Sequence, residues 1–198
     1  MIEFRDAVYD DMNAVAALHK ECFKGSFIAY WGNYLIAKYY EKFIKENCPF
    51  VLAFDEGELI AFCMGYYDGS NARNAFLQEN KLRLALRLLV LCFSFNTLVI
   101  KKCWNFVFGA KKKVELEVKK VKAEADLLSI CVLDAYRGTG ISVELVKQFE
   151  ERVLAAAKND LTLAVYQDNG RAIAFYKKMG YAIACEDGDE YKMYKKLK

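Results

Sequence analysis

From Asp126 to the C-terminus the apolar residues change period repeatedly, and that alternation limits the architectures open to the chain. Leu127–Leu133 reads as a buried-type strand, Ser142–Ala157 as an amphipathic helix, and Leu161–Tyr166 as another strand. The helix puts Leu145, Val146, Phe149, Val153 and Leu154 on its inner face. Asn169 opens a further helix through Met179, ended by Gly180, the usual residue just past a helix C-terminus. Tyr181–Ala184 and Glu190–Lys195 read as strands around the turn Glu186-Asp187-Gly188-Asp189. An αβ alternation with an antiparallel finish calls for a sheet packed against helices.

The first third of the chain supplies more of the same materials. Ile2, Phe4 and Ala7 among charged neighbours suit a short opening strand, and Asp10 or Asp11 can cap a helix running to about Phe23. Met12, Val15, His19, Cys22 and Phe23 recur at helical spacing on its apolar face, so His19 reads as a structural histidine. A second helix covers Asn33 to Glu46 with Leu35, Ile36, Tyr39, Tyr40 and Phe43 as its stripe, and Pro49 ends the segment. Two apolar runs, Phe50–Phe54 and Leu59–Tyr67, flank the acidic Gly-containing turn Asp55-Glu56-Gly57-Glu58 and form a hairpin.

A chain of 198 residues with 55% hydrophobic and 28% charged residues fits a single folded domain, 1–198, rather than a disordered one. One proline and eleven glycines leave no composition for a flexible linker. A net charge of +3, from 29 basic and 26 acidic residues, excludes nucleic-acid binding by bulk charge. The seven cysteines are odd in number, widely spaced and without a CxxC pair, which argues against a metal site. With no signal peptide read at the N-terminus, they are expected to be reduced thiols in a cytoplasmic protein.

Residues 69–125 differ in character. Asn80 to Phe95 is helical in composition, but its many leucines leave little polar face, and Arg83 and Arg87 form only a narrow basic edge. Apolar character resumes through Trp104, Phe106 and Phe108 beside eight lysines between Lys101 and Lys122. Leu84 to Ile100 is 17 residues with Arg87 inside it, short of the about 20 apolar residues that a spanning helix needs. The preferred reading is packing on the domain or on a second subunit, as in a homodimer. The alternative is peripheral contact with an anionic membrane surface through 80–113.

The most informative local stretch is Arg137-Gly138-Thr139-Gly140-Ile141-Ser142, between a strand and a helix. Glycines free the backbone for close approach, and a helix N-terminus presents unpaired amides with partial positive charge, so the turn suits a pyrophosphate. Arg137 adds a charge-assisted contact. The P-loop pattern is absent, and the dinucleotide pattern fails at Val143, where its third glycine belongs.

That turn and the later run Asn169-Gly170-Arg171-Ala172-Ile173-Ala174-Phe175-Tyr176-Lys177-Lys178-Met179-Gly180-Tyr181 together resemble the GNAT superfamily of N-acetyltransferases. The turn looks like the family's R/Q-x-x-G-x-G/A loop, and the run looks like its N-x-x-A-x-x-F-Y-x-x-x-G-F/Y signature, in the family's order. The resemblance implies an α/β (α+β) fold with a mixed, mostly antiparallel central sheet flanked by helices. It leaves 69–125 as a helical insertion between the third and fourth strands.

The same resemblance implies acetyl-CoA as cosubstrate and no metal. Main-chain groups of Cys131, Val132 and Leu133 would pair with the pantetheine arm. Arg137, Gly138, Thr139, Gly140, Ile141 and Ser142 would wrap the pyrophosphate, with Ser142 standing where the family usually has Gly or Ala. Asn169 would contact the cofactor or a bridging water, and Tyr176 would protonate the departing thiolate.

The chemistry suits these residue types. An alkylamine of pKa about 10.4 costs about 4–5 kcal/mol to deprotonate near pH 7, so a base or water chain must take its proton. A strand amide can stabilise the oxyanion, and a tyrosine hydroxyl can protonate the leaving sulfur. The base stays open: Ala164 stands where some relatives carry a glutamate, while Asp126 and Glu124 are conceivable and Tyr66 or Tyr67 could hold a water. The expected activity is direct acetyl transfer to a small amine, such as an amino sugar or polyamine. A protein N-terminus or lysine is the alternative acceptor, and a non-catalytic acyl-CoA-binding or membrane-surface module the alternative class.

Overall fold

A computed structural model describes residues 1–93 and 122–197. Seven strands form one sheet in the order β1-β2-β3-β4-β5-β7-β6. They are β1 (Ile2–Asp6), β2 (Phe50–Asp55), β3 (Glu58–Tyr67), β4 (Ala125–Val132), β5 (Asp160–Tyr166), β6 (Ala182–Asp187) and β7 (Glu190–Lys196). Every neighbouring pair is antiparallel except β4 and β5. The helices are α1 (Met12–Cys22), α2 (Asn33–Lys45), α3 (Ala72–Phe93), α4 (Ile141–Ala155) and α5 (Gly170–Lys178). The mixed, mostly antiparallel sheet flanked by helices is the fold class expected from the sequence.

Side-chain alternation along β2 and β3 builds two different cores. Phe50, Leu52, Phe62 and Met64 point into a cluster with α1 and α2, where Tyr39, Tyr40 and Phe43 supply the bulk. Val51, Ala53, Ala61 and Cys63 face the other cluster, under α4, where Leu145, Val146, Phe149 and Val153 are fully buried. Large residues therefore meet α2, and small ones let α4 lie close to the sheet.

Gly65 is the extreme of that pattern. A Cβ at this position would lie 2.1 Å from the Asp126 carbonyl oxygen and 2.6 Å from the Phe149 ring. The register explains the crowding: Met64 pairs with Ser129 and Gly65 with Leu127, so Leu128 is the extra residue of a β-bulge in β4.

Buried polar groups tie the layers together. Glu150 of α4 accepts from the Tyr181 hydroxyl at 2.9 Å and from Lys195 Nζ at 2.6 Å, linking helix to β7. His19 Nδ1 lies 2.7 Å from the Tyr40 hydroxyl, and burial pulls its pKa down to about 4, so the ring is neutral. That is the structural histidine read from the helical spacing. Asp11 does not cap α1 by reaching forward; its carboxylate accepts from Val8 N at 2.8 Å and takes both terminal nitrogens of Arg5 at 2.7 Å.

The helix expected from Asn80 begins earlier, at Ala72. The polar run Ser70–Asn71 hides its start, which Glu46 anchors by accepting from Asn71 N at 3.1 Å and from the Ser70 hydroxyl. Ala72 and Phe76 are fully buried, and Trp31 stacks on Phe76 with ring centroids 5.4 Å apart. The basic edge makes hydrogen bonds at the surface: Arg83 donates to the Tyr34 hydroxyl and Arg87 to the Tyr30 carbonyl at 3.0 Å. Leu82, Leu86, Leu89 and Val90 are exposed on the same helix. The apolar run through Trp104, Phe106 and Phe108, and the lysines from Lys101 to Lys120, lie outside the described residues, as does most of the segment 80–113. Among the described residues no helix is long and apolar enough to cross a membrane.

Because Gly65 leaves no room for a methyl group between β4 and Phe149, Gly65→Ala is expected to destabilise the fold by about 1–3 kcal/mol. A lowered denaturant midpoint with an unchanged slope checks it. A midpoint equal to that of the parent would show that the layers can separate freely.

Candidate active site

The bulge at Leu128 sends β4 away from β5. The two strands pair in parallel only where Ala125, Asp126 and Leu127 meet Leu161, Thr162 and Leu163. Beyond Leu128, β4 continues with β3, and the later part of β5 continues with β7. The fork between them opens into a cleft of about 610 Å³. Ile130, Cys131 and Val132 form one wall, and Asn169, Arg171, Ala172, Phe175 and Tyr176 the other. Cys22 and Phe23 close it from the end of α1, and Arg137, Gly138, Gly140, Ser142 and Val143 lie at the start of α4.

The turn before α4 is built to expose its backbone. Gly138 and Gly140 have φ of +84° and +95°, and a Cβ on either would meet nothing within 4 Å. Their role is therefore conformational, since other residues disfavour this region. Val143 N and Glu144 N both donate to the Gly140 carbonyl, at 3.0 and 3.1 Å. The amides from Gly138 to Ser142 have no protein acceptor among the described residues. Unpaired donors at a helix N-terminus make an anion site.

The site residues read from the sequence divide into two groups. Cys131, Val132, Arg137, Gly138, Gly140, Ser142, Asn169 and Tyr176 all line the cleft. Leu133, Thr139 and Ile141 do not put side chains there: Leu133 N donates to the Ile60 carbonyl at 3.0 Å, and the Thr139 hydroxyl to the Tyr136 carbonyl at 2.7 Å. Ile141 is buried in the core below α4. Asn169 is first a helix cap, its Oδ1 accepting from Ala172 N at 3.1 Å. Arg137 is paired with Asp134 at 2.7 Å, so an incoming anion would compete with that carboxylate.

Tyr176 is buried between Phe175 and Tyr181, with ring centroids 5.2 and 5.6 Å away. Burial pushes its pKa well above the usual tyrosine value, so the hydroxyl stays protonated at neutral pH. Sequence reasoning did not single out Arg171, Cys22 or Phe23. Arg171 carries a faint signal, because a basic side chain in the first turn of a helix opposes the helix dipole. Cys22 and Phe23 carry none, since α1 reaches the cleft only through the tertiary fold.

At the closed end of the fork lies a second cavity of about 320 Å³. Tyr66, Asp68, Lys122, Asp126, Thr162, Cys185, Asp187 and Lys192 line it. Asp126 accepts from the Thr162 hydroxyl at 2.9 Å and lies 3.9 Å from Lys192 Nζ. Burial raises its pKa above the ordinary carboxylate value, against the opposing pull of Lys192 and Thr162. Burial also raises the pKa of Tyr66, and the Asp126 charge adds to it. Glu124 is committed elsewhere, its carboxylate accepting from Asn159 N at 2.8 Å. Tyr67 faces a different hollow, with Asp6 and Arg152. Among the described residues no three His, Cys, Asp or Glu side chains are grouped to hold a metal ion.

Comparison with known proteins agrees with this geometry. Residues 99–181 match the model of the Acetyltransferase (GNAT) family. The PaiA N-acetyltransferase of Thermoplasma acidophilum, in complex with coenzyme A, superposes with a TM-score of 0.60 at 16% identity over 99% of each chain. YncA of Salmonella typhimurium, with its cofactor acetyl-CoA, gives a TM-score of 0.59 at 12% identity, covering 100% of this chain and 95% of that one. The Escherichia coli ribosomal-protein-S18-alanine N-acetyltransferase gives 0.58 at 15% identity, covering 100% and 94%. No curated protein sequence matches the chain. Residues 99–181, which include the glycine turn and the Asn169 run, are thus similar to the Acetyltransferase (GNAT) family, and the described residues share the fold of solved N-acetyltransferases that bind coenzyme A or acetyl-CoA.

Proposed function

We propose that this chain transfers the acetyl group of acetyl-CoA directly to the primary amine of a small molecule of the amino sugar or polyamine type. The observation that carries this reading is the two-ended fork. Unpaired amides and arginines line its open end, and a small cavity with three carboxylates, Asp68, Asp126 and Asp187, lies at its closed end. The first suits a pyrophosphate, and the second suits a cationic amine. A cavity of about 320 Å³ is at the small end of ligand pockets and supports a compact acceptor over a long peptide.

The steps follow from the side chains. The pyrophosphate of the donor sits on the Gly138–Ser142 amides, and the pantetheine arm runs along Cys131 and Val132 toward the bulge. An ammonium enters the acidic cavity, and Asp126 takes a proton from it, directly or through a water held by Tyr66. The raised pKa of Asp126 makes it a better base than an ordinary aspartate. The amine nitrogen then attacks the thioester carbonyl, and a β4 amide on the fork side stabilises the oxyanion. As the C–S bond breaks, the Tyr176 hydroxyl donates to the departing sulfur. No covalent enzyme intermediate is needed, and His19 is tied to Tyr40 rather than to a nucleophile.

Release of free thiol from acetyl-CoA, measured with amino sugars, polyamines and N-terminal or lysine peptides, tests the acceptor class. Turnover confined to the peptides would overturn the small-molecule reading. Tyr176→Phe is expected to lower kcat by about 10–100-fold while the KM for acetyl-CoA stays within about twofold. Asp126→Asn should lower kcat/KM by about 100-fold. The base works only when deprotonated, so parent activity rises with pH through the Asp126 pKa, which lies above the ordinary aspartate value. That rising limb should vanish in Asp126→Asn, and its persistence would place the base elsewhere. Gly140→Ala, which forces alanine to φ near +95°, should weaken coenzyme A binding by about tenfold in calorimetry.

A further inference from the structure

We propose that Cys22 and Cys131 form a modification site in the floor of the donor cleft, where a peroxide-class oxidant closes them into a disulfide. Both side chains line the cleft, one from the last residue of α1 and the other from the divergent part of β4. Both pack in the same apolar cluster, near enough that each thiol shifts the ionisation of the other. The transfer chemistry uses neither thiol; it needs only the main chain at Cys131.

The two thiols are unequal in the way a reactive and a resolving cysteine must be. Cys131 is 2% exposed, and burial pushes its pKa far up. Cys22 is half-buried at the cleft wall, and its pKa is drawn down, first by Cys131 and then by the Arg137 charge. Burial, Glu21 and Asp134 oppose that shift without cancelling it. An accessible thiol of lowered pKa beside a buried partner is the arrangement that favours oxidation to a disulfide over irreversible acids. Cys48 and Cys63 lack it, because burial raises the pKa of both.

The chemistry balances with hydrogen peroxide as the oxidant. The Cys22 thiolate attacks one peroxide oxygen, the O–O bond breaks, and hydroxide leaves with that electron pair and is protonated to water. The Cys131 sulfur then attacks the Cys22 sulfenic sulfur, the S–O bond breaks, and the Cys131 proton accompanies the departing oxygen as a second water. The two thiols lose two electrons, and the peroxide is reduced to two waters. The bond draws the end of α1 toward β4 across the path of the pantetheine arm. Only this last consequence rests on the proposed donor reading.

The test treats the full chain with a small excess of hydrogen peroxide, alkylates the remaining thiols and maps the peptides by mass. The expected product is a Cys22–Cys131 cross-linked peptide, released by dithiothreitol and absent from Cys22→Ser. In Cys131→Ser, Cys22 should stop at the sulfenic acid and be trapped by dimedone. Oxidised parent protein should bind coenzyme A ~tenfold more weakly or worse, and reduction should restore it. Recovery of Cys22 and Cys131 as separately alkylated or singly over-oxidised peptides would overturn the proposal. Reduced protein that cross-links normally but gives no heat with coenzyme A would instead sink the donor reading alone, because the cross-link is read without a cofactor.

Discussion

The separation of β4 from β5 is the constraint from which the rest of the site follows. A parallel pair that stayed in register would bury its main-chain groups in the ladder and leave no space between the strands. Here the pairing stops after Leu127 because the extra residue Leu128 turns β4 aside. A bulge increases local twist, and the sheet tolerates it only if the opposite face closes behind it. Gly65 provides that closure. With no side chain, it lets the Asp126 carbonyl and the Phe149 ring approach, so α4 stays on the sheet while β4 bends away. The helix held in this way delivers its N-terminal amides to the mouth of the fork, and α5, capped by Asn169, delivers Tyr176 to the other wall.

Much of this architecture was legible because it is written locally. The acidic turn between Asp55 and Glu58 joins β2 to β3, and the glycine turn falls where a strand gives way to a helix. Both signals need only neighbours in sequence. The start of α3 was not legible, because Ala72 and Phe76 lie in a short, mixed run and become core only when Trp31 and α2 pack on them. The same holds for the acidic cavity. Asp126 was a conceivable base among several, but nothing in the chain order announces that Thr162, Asp187 and Lys192 share its surroundings. Glu124, equally conceivable from sequence, is consumed in fixing the turn before β5. The choice between the two carboxylates is tertiary.

Helix α3 shows how a single element can serve two masters. Its first half is core, and its exposed arginines bond to Tyr34 and Tyr30, which ties the helix to α2 and to the connection before it. The exposed Leu82, Leu86, Leu89 and Val90 recur at helical spacing on a different face. The packing that the sequence suggested for this segment accordingly applies to its beginning, where the buried residues are.

Burial tunes the titratable groups of both cavities, and the direction of each shift follows from whether a partner opposes it. Tyr176 has no carboxylate or cation against it, so desolvation acts almost alone and keeps its proton in place until a negative sulfur develops beside it. Asp126 is held between desolvation and Lys192, which leaves it a base that is stronger than a surface aspartate and still ionisable. The thiols obey the same rule. Cys48, Cys63 and Cys131 are pushed up by their apolar surroundings, whereas Cys22 is drawn down, first by Cys131 and then by Arg137. A cleft that gathers cationic charge for a phosphate therefore also lowers the pKa of the more exposed of its two thiols. Arg137 thus acts on both, beside the anion site and, after Cys131, on the Cys22 thiol.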